Sequence, residues 1–196
     1  SDNEPLPYLD VEAEIIVRHP NYTSRNLHND LAVIRLKHEV PQTDHIGPIC
    51  LPNPIEVRKF QLASGNARCI TMGWGLASKG KKGSFSDVAK KVILPLVDQD
   101  RCEHLLRKTK LGKRFRLHSS FLCAGGEEGH DSCFGDGGSP LMCNQDDGSF
   151  TLVGLVSWGI GCGQSNVPGL YTNVVDFVDF IDECKRFMQD EVRRLN

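Results

Sequence analysis

Short runs of β-branched and apolar residues, each cut off by Gly, Pro, Asn or Asp, recur along the chain. Val11 to Val17 ends at His19-Pro20, and Leu31 to Leu36 is entered through Asn29-Asp30. Arg68 to Trp74 lies between Gly65 and a Gly73-Trp74-Gly75 turn. Lys91 to Val97, Phe121 to Ala124, Pro140 to Cys143, Phe150 to Trp158 and Gly169 to Val175 continue the series. Asp146-Asp147-Gly148 reads as a hairpin turn between two of them. Many short strands with regular turn signals predict an all-β sandwich or barrel.

The period changes to three and four residues in two places. Asp98 to Leu106 opens on an N-cap candidate, Asp98 or Asp100. The tail from Asp176 to Leu195 spaces Phe177, Phe180, Ile181, Cys184, Phe187 and Met188 as one apolar stripe, which predicts a helix docked on the barrel. No internal repeat and no long linker interrupts the chain, and Ser78 to Ser84 reads as a flexible loop within a domain.

Composition narrows the class. The 196 residues suffice for one large or two small packed domains. Lys and Arg number 23 against 25 Asp and Glu, a formal charge of −2 that argues against a dedicated nucleic-acid binder. No apolar run approaches the roughly 18 residues of a membrane span. Eight cysteines without a Cys-x-x-Cys pair point to disulfides and an oxidising compartment rather than zinc. Ser1 to Pro5 carries no secretion signal, so a processed piece or fragment is expected. Asp2, Glu4, Asp10 and Glu12 are too scattered for a calcium cage, and no metal or cofactor is expected.

The chemistry concentrates in Asp131-Ser132-Cys133-Phe134-Gly135-Asp136-Gly137-Gly138-Ser139-Pro140-Leu141. This segment resembles the active-site loop of the chymotrypsin-like, trypsin-type serine proteases, whose pattern is Gly-Asp-Ser-Gly-Gly-Pro. Asn29-Asp30-Leu31-Ala32, Gly73-Trp74-Gly75, Ser157-Trp158-Gly159 and Pro168 to Val174 match further landmarks in family order. The resemblance implies a double six-stranded β-barrel with its first barrel incomplete, a short intermediate helix and a C-terminal helix. Residues of about 1–60 would be the remainder of the first barrel, about 61–175 the second, and about 176–196 the helix. Roughly the first quarter of such a domain, with its Ala-Ala-His-Cys and Ile-Val-Gly-Gly motifs, is expected to be missing.

Two departures bear on function. Gly137 stands where the family has its serine, and a glycine offers no oxygen to attack a carbonyl. Ser139, two residues on, is misplaced for that role. His19 and His28 precede Asp30 without the histidine motif and read as surface-loop residues. The rest reads as a relic. Asp30 matches the histidine-orienting aspartate, Gly135 and Gly137 match the oxyanion-hole amides, and Asp136 matches the aspartate that pairs with a new amino terminus. Without that terminus Asp136 is expected unpaired, and cation binding weak. Asp131, with Gly159 and Gly169, matches a specificity pocket for Lys or Arg.

Eight cysteines allow 105 pairings. The resemblance selects Cys69–Cys143, Cys102–Cys123 and Cys133–Cys162. It leaves Cys50 to a partner upstream of this chain and Cys184 unassigned. Gly-Asp-Gly-Gly-Ser-Pro-Leu, Phe121 to Glu127, Val97 to Cys102 and His118-Ser119-Ser120 resemble the arthropod clip-domain serine protease homologues, inactive relatives of prophenoloxidase-activating factors. That implies a secreted haemolymph cofactor in melanisation and innate immunity. Its partners would be prophenoloxidase or its activating protease, with a homo-oligomer possible. An active trypsin-like endopeptidase and a pattern-recognition or adhesion protein are the alternatives. Asn21-Tyr22-Thr23 is a glycosylation sequon. Arg107, Lys108, Lys110, Lys113, Arg114 and Arg116 form a basic surface segment, either a solvated face or a docking patch for an acidic partner or polyanion.

Overall fold

The computed structural model describes residues 6–53, 55, 68–76 and 85–195. The Ser78 to Ser84 loop lies outside the described residues. Strands β1 (Ala13–Arg18) and β2 (Ala32–Leu36) pair with each other. Strands β3 (Arg68–Gly73), β4 (Lys90–Val97), β5 (Phe121–Gly125), β6 (Pro140–Asn144), β7 (Phe150–Trp158) and β8 (Pro168–Asn173) close a barrel in the order β3-β4-β5-β8-β7-β6. Every neighbouring pair is antiparallel. Helix α1 (Gln99–Leu106) joins β4 to β5, and helix α2 (Val178–Leu195) follows β8 through a 3₁₀ turn at Val174–Phe177. One closed barrel, a second sheet and a C-terminal helix constitute a mostly β, chymotrypsin-like arrangement.

Alternation explains the barrel. On β3, Cys69, Thr71 and Gly73 turn inward while Arg68 and Met72 face water. On β4, Leu94 and Leu96 are buried and Lys91 and Ile93 exposed. Leu94, Leu141, Val153 and Tyr171 fill the interior beside the Cys69–Cys143 bond. Each such side chain stabilises the fold by about 1.5–3 kcal/mol. Strands β5 and β8 are buried along their whole length. Their outer face is covered too: Cys102 and Leu106 of α1 pack with Leu117, Phe121 and Leu170, and the Cys102–Cys123 bond ties helix to strand. The Asp98 carboxylate accepts from the Asp100 and Arg101 amides at 3.0 and 3.1 Å, which makes Asp98 the cap and starts α1.

Two boundaries and one packing face depart from the sequence expectation. β1 runs two residues later than Val11. β8 ends at Asn173, because Val174 and Phe177 are both buried three residues apart, a 3₁₀ spacing. The stripe on α2 is narrower than predicted: Cys184 and Met188 are buried, but Phe187 is exposed. That helix lies against β2, with Arg35 donating to the Met188 carbonyl at 3.0 Å. The His19 ring packs edge-on against Phe177 and Phe180.

Candidate functional site

The loop from Cys133 to Ser139 is held at its centre by Asp136. One carboxylate oxygen accepts from the Gly75 amide at 2.8 Å and the other from the Cys133 amide at 2.9 Å. The expectation that Asp136 is unpaired is therefore corrected. The reason is local. A Cβ on Gly73 would lie 2.1 Å from the carboxylate oxygen, and on Gly75 2.6 Å from it, so only the Gly73-Trp74-Gly75 turn leaves room for the carboxylate to fold inward. Two amides then take the place of an ammonium.

Beside this loop lies a cavity of about 510 Å³ lined by Asp131, Gly135, Gly137, Ser157, Gly159 and Gly169, among others. The structure thus brings together residues scattered over nearly forty positions. Asp131 is fixed by the Gly163 amide, which donates to it at 2.8 Å. Gly169 backs it closely, since a Cβ there would sit 3.2 Å from the Asp131 oxygen. The Cys133–Cys162 bond ties the loop to the opposite wall. Ser132 and the fully buried Tyr171 share a hydrogen bond of 3.0 Å, and burial drives the Tyr171 phenol far above its ordinary range.

Gly137 is exposed at the cavity edge, and a Cβ there meets nothing within 4 Å. Space does not impose a glycine at this position. Gly135 has φ +95°, and a Cβ would lie 2.6 Å from the Phe85 ring. The Ser139 hydroxyl lies toward Gly73, 3.0 Å from where a Cβ would stand there, and does not line the cavity.

Asp30 lies across the cleft. Its carboxylate accepts from the Ser157 hydroxyl at 2.7 Å, and its carbonyl accepts from Thr172 at 2.7 Å. All seven histidines are described, and none of them hydrogen-bonds to Asp30. His19 sits on the two phenylalanines. His28 stacks on His118 with ring centroids 3.8 Å apart. Burial, and then the neighbouring His118, lower the His28 pKa, and burial lowers that of His19.

Of the basic segment, Arg107 and Arg116 converge on Glu103 of α1, and Lys110 lines the Asp131 cavity. Asn21 is exposed in a turn and accepts from the Asn29 side chain through its carbonyl at 2.9 Å. Cys50 is exposed and Cys184 buried, both as free thiols, and burial pushes the Cys184 thiol up. Sequence reasoning missed the contact of Ser157 with Asp30 and the place of Lys110 at the cavity. Ser157 stood in a motif already singled out, next to Trp158, and only the pairing of β7 with β8 sets it against Asp30.

The Trypsin family model matches residues 2–181. The chain is 47% identical over 178 residues to "Inactive CLIP domain-containing serine protease A8" of Anopheles gambiae, covering 91% of this chain and 47% of that protein. It is 41% identical over 182 residues to "Phenoloxidase-activating factor 2" of Galleria mellonella, covering 92% and 58%. To "Inactive CLIP domain-containing serine protease A28" of Anopheles gambiae it is 41% identical over 180 residues, covering 92% and 45%. The chain spans about half the length of these curated relatives. With the closed barrel, the Asp131 cavity and the Asp30–Ser157 contact already in place, this match settles the lineage: the chain belongs to the trypsin family, as a serine protease homologue similar to proteins named inactive.

Proposed function

We propose that this chain is the protease-like part of a secreted, catalytically silent regulator of prophenoloxidase activation. The reading rests on Gly137, which the resemblance of Asp131 to Leu141 puts at the family's serine position, beside a cavity lined by Asp131, Gly159 and Gly169. Acyl transfer needs an oxygen nucleophile and a base within hydrogen-bond reach. A glycine supplies no such oxygen, and no described histidine contacts Asp30. The cavity can therefore hold a basic side chain against Asp131 without cleaving the chain that carries it. The relatives named as phenoloxidase-activating factors and inactive CLIP proteases support placing this binding in melanisation. Prophenoloxidase or its activating protease would be the partner. Three disulfides and the Asn21 sequon fit an extracellular setting. Cys50 is the exposed thiol that a cysteine outside this chain would pair with.

The test is reconstitution. Purified prophenoloxidase is mixed with its activating protease, with and without the protein that carries this domain, and phenoloxidase turnover is followed. Activity that depends on the added protein supports the reading. Turnover unchanged by it would overturn the cascade role. A trypsin-like endopeptidase has the Asp131 cavity in its favour and Gly137 against it, and peptide cleavage by this chain would favour it.

A further inference from the structure

The loop around Gly137 divides its amides into two sets. The Asp136 amide donates to the Cys133 carbonyl at 3.0 Å, the Gly138 amide to the Val156 carbonyl at 2.8 Å, and the Ser139 amide to the Asp136 carbonyl at 2.9 Å. The Gly135 and Gly137 amides have no acceptor among the described residues. Gly135 and Gly138 take the left-handed conformation, φ +95° and +84°, which recurs in backbone loops that cup an anion. Both residues with uncommitted amides line the cavity of about 510 Å³.

That cavity also carries one charge of each sign, Asp131 and Lys110. Asp131 accepts from the Gly163 amide at 2.8 Å. Lys110 is exposed and has no ion-pair partner among the described residues. The Asp136 carboxylate would repel an anion at this loop, but it is turned onto the Gly75 and Cys133 amides and does not line the cavity. Position 137 adds room, because a Cβ there meets nothing within 4 Å and glycine leaves that space empty. Uncommitted donors beside an open space, with a carboxylate in the same cavity, suit a ligand that is cationic at one end and anionic at the other.

We propose that the cavity selects a free C-terminal arginine or lysine. The basic side chain meets Asp131, and the terminal carboxylate accepts from the Gly135 and Gly137 amides. Its second oxygen takes the space beside Gly137 that a side chain would fill. A peptide carbonyl at the same amides is neutral and has one oxygen. The carboxylate has two and a full charge, and charge-assisted hydrogen bonds are roughly twice as strong as neutral ones. Hydrolysis on the carboxyl side of a basic residue makes such ends, so the ligand is the product of a trypsin-like cleavage and not its substrate. This inference rests on the reading of the cavity as a binding site without chemistry, and adds which ligand it takes.

The test uses the whole chain and three fluorescent peptides in anisotropy titrations. They share one sequence and end in Arg with a free carboxylate, in Arg carboxamide, or in Arg followed by Ala-Ala. The free acid is expected to bind at least about tenfold more tightly than either of the others, a difference of about 1.4 kcal/mol. Asp131→Asn should weaken all three. Gly137→Val fills the space beside the amides and should bring the free acid down to the affinity of the carboxamide. Thermal melting of the same samples shows that the variants are folded. Displacement of the free-acid peptide by Nα-acetylarginine at a lower concentration than by Nα-acetylargininamide repeats the comparison without a variant. Equal affinity of the three peptides, or a preference for the acid that survives Gly137→Val, overturns the proposal and leaves the binding reading standing. No binding of any Arg peptide overturns both. The reconstituted phenoloxidase assay is read separately, since it reports the cascade role and not the ligand of this cavity.

Discussion

The two ends of the cleft differ in what holds them. At the Asp131 end every element is tied: Asp131 to Gly163, Ser132 to Tyr171, Cys133 to Cys162, and Asp136 to two amides. At the other end Asp30 is anchored to Ser157, but no histidine leans on it and Gly137 carries no side chain. The wall of the cavity and the positions of the family's reacting groups are supplied by different residues. Backbone amides, a disulfide and a buried tyrosine keep the wall, and none of them depends on a nucleophile. The proposed reading, a cleft that binds without chemistry, rests on that division.

The largest expected effect comes from cutting the tied end. Cys133→Ser with Cys162→Ser should cost roughly 2–5 kcal/mol, measured by denaturant unfolding. It should also abolish whatever binding of benzamidine the Asp131 cavity supports. With Asp136 already seated on amides, that binding is now expected in calorimetry, contrary to the reading from sequence. A Cys133–Cys162 variant as stable as the parent would mean the tied end is not held as described.

Two glycines of the same region give the next contrast. Gly75→Ala puts a Cβ 2.6 Å from the Asp136 carboxylate, and should destabilise by about 1–3 kcal/mol. Gly137→Ala meets nothing within 4 Å and should move stability by under about 0.5 kcal/mol. Thermal unfolding of both variants in parallel reads the difference, and equal costs would erase it.

How much of this was legible without coordinates depends on range. Strands followed from local punctuation, because turn residues and alternation act over a few positions. Asp98 was a cap candidate for the same reason. The partners of Asp136 were not legible, since Gly75 lies sixty-one residues away and its amide is presented only after β3 closes the barrel. Lys110 appeared as one charge in a basic segment, and only the path of the loop brings it to the Asp131 cavity. Glu103 carries no mark in the sequence that sets it apart, yet it collects two arginines and the Leu117 amide. Three disulfides could not be chosen by spacing from 105 pairings.

A smaller effect should appear with pH. The folded-state pKa of His28 is lowered from 6.5, so the folded protein resists its protonation. The stabilising contribution of neutral His28 is complete above pH 6.5 and declines as pH falls below it, because the unfolded chain takes the proton first. His28→Gln should flatten stability against pH below about 6.5. An unchanged slope would remove the stacked pair from the account. Smallest of all, Lys113→Glu alone should shift stability by under about 0.5 kcal/mol in thermal unfolding, since the side chain is exposed.

The most direct measurement is active-site titration with 4-nitrophenyl 4-guanidinobenzoate, a basic ester that releases one nitrophenol for each serine it acylates. The parent chain and Gly137→Ser are titrated side by side. Neither should give a burst above buffer, because the parent has no oxygen at position 137 and, among the described residues, no histidine lines the cavity that would serve the variant. A burst approaching one equivalent from the parent chain would contradict the central proposal, that this cleft is catalytically silent.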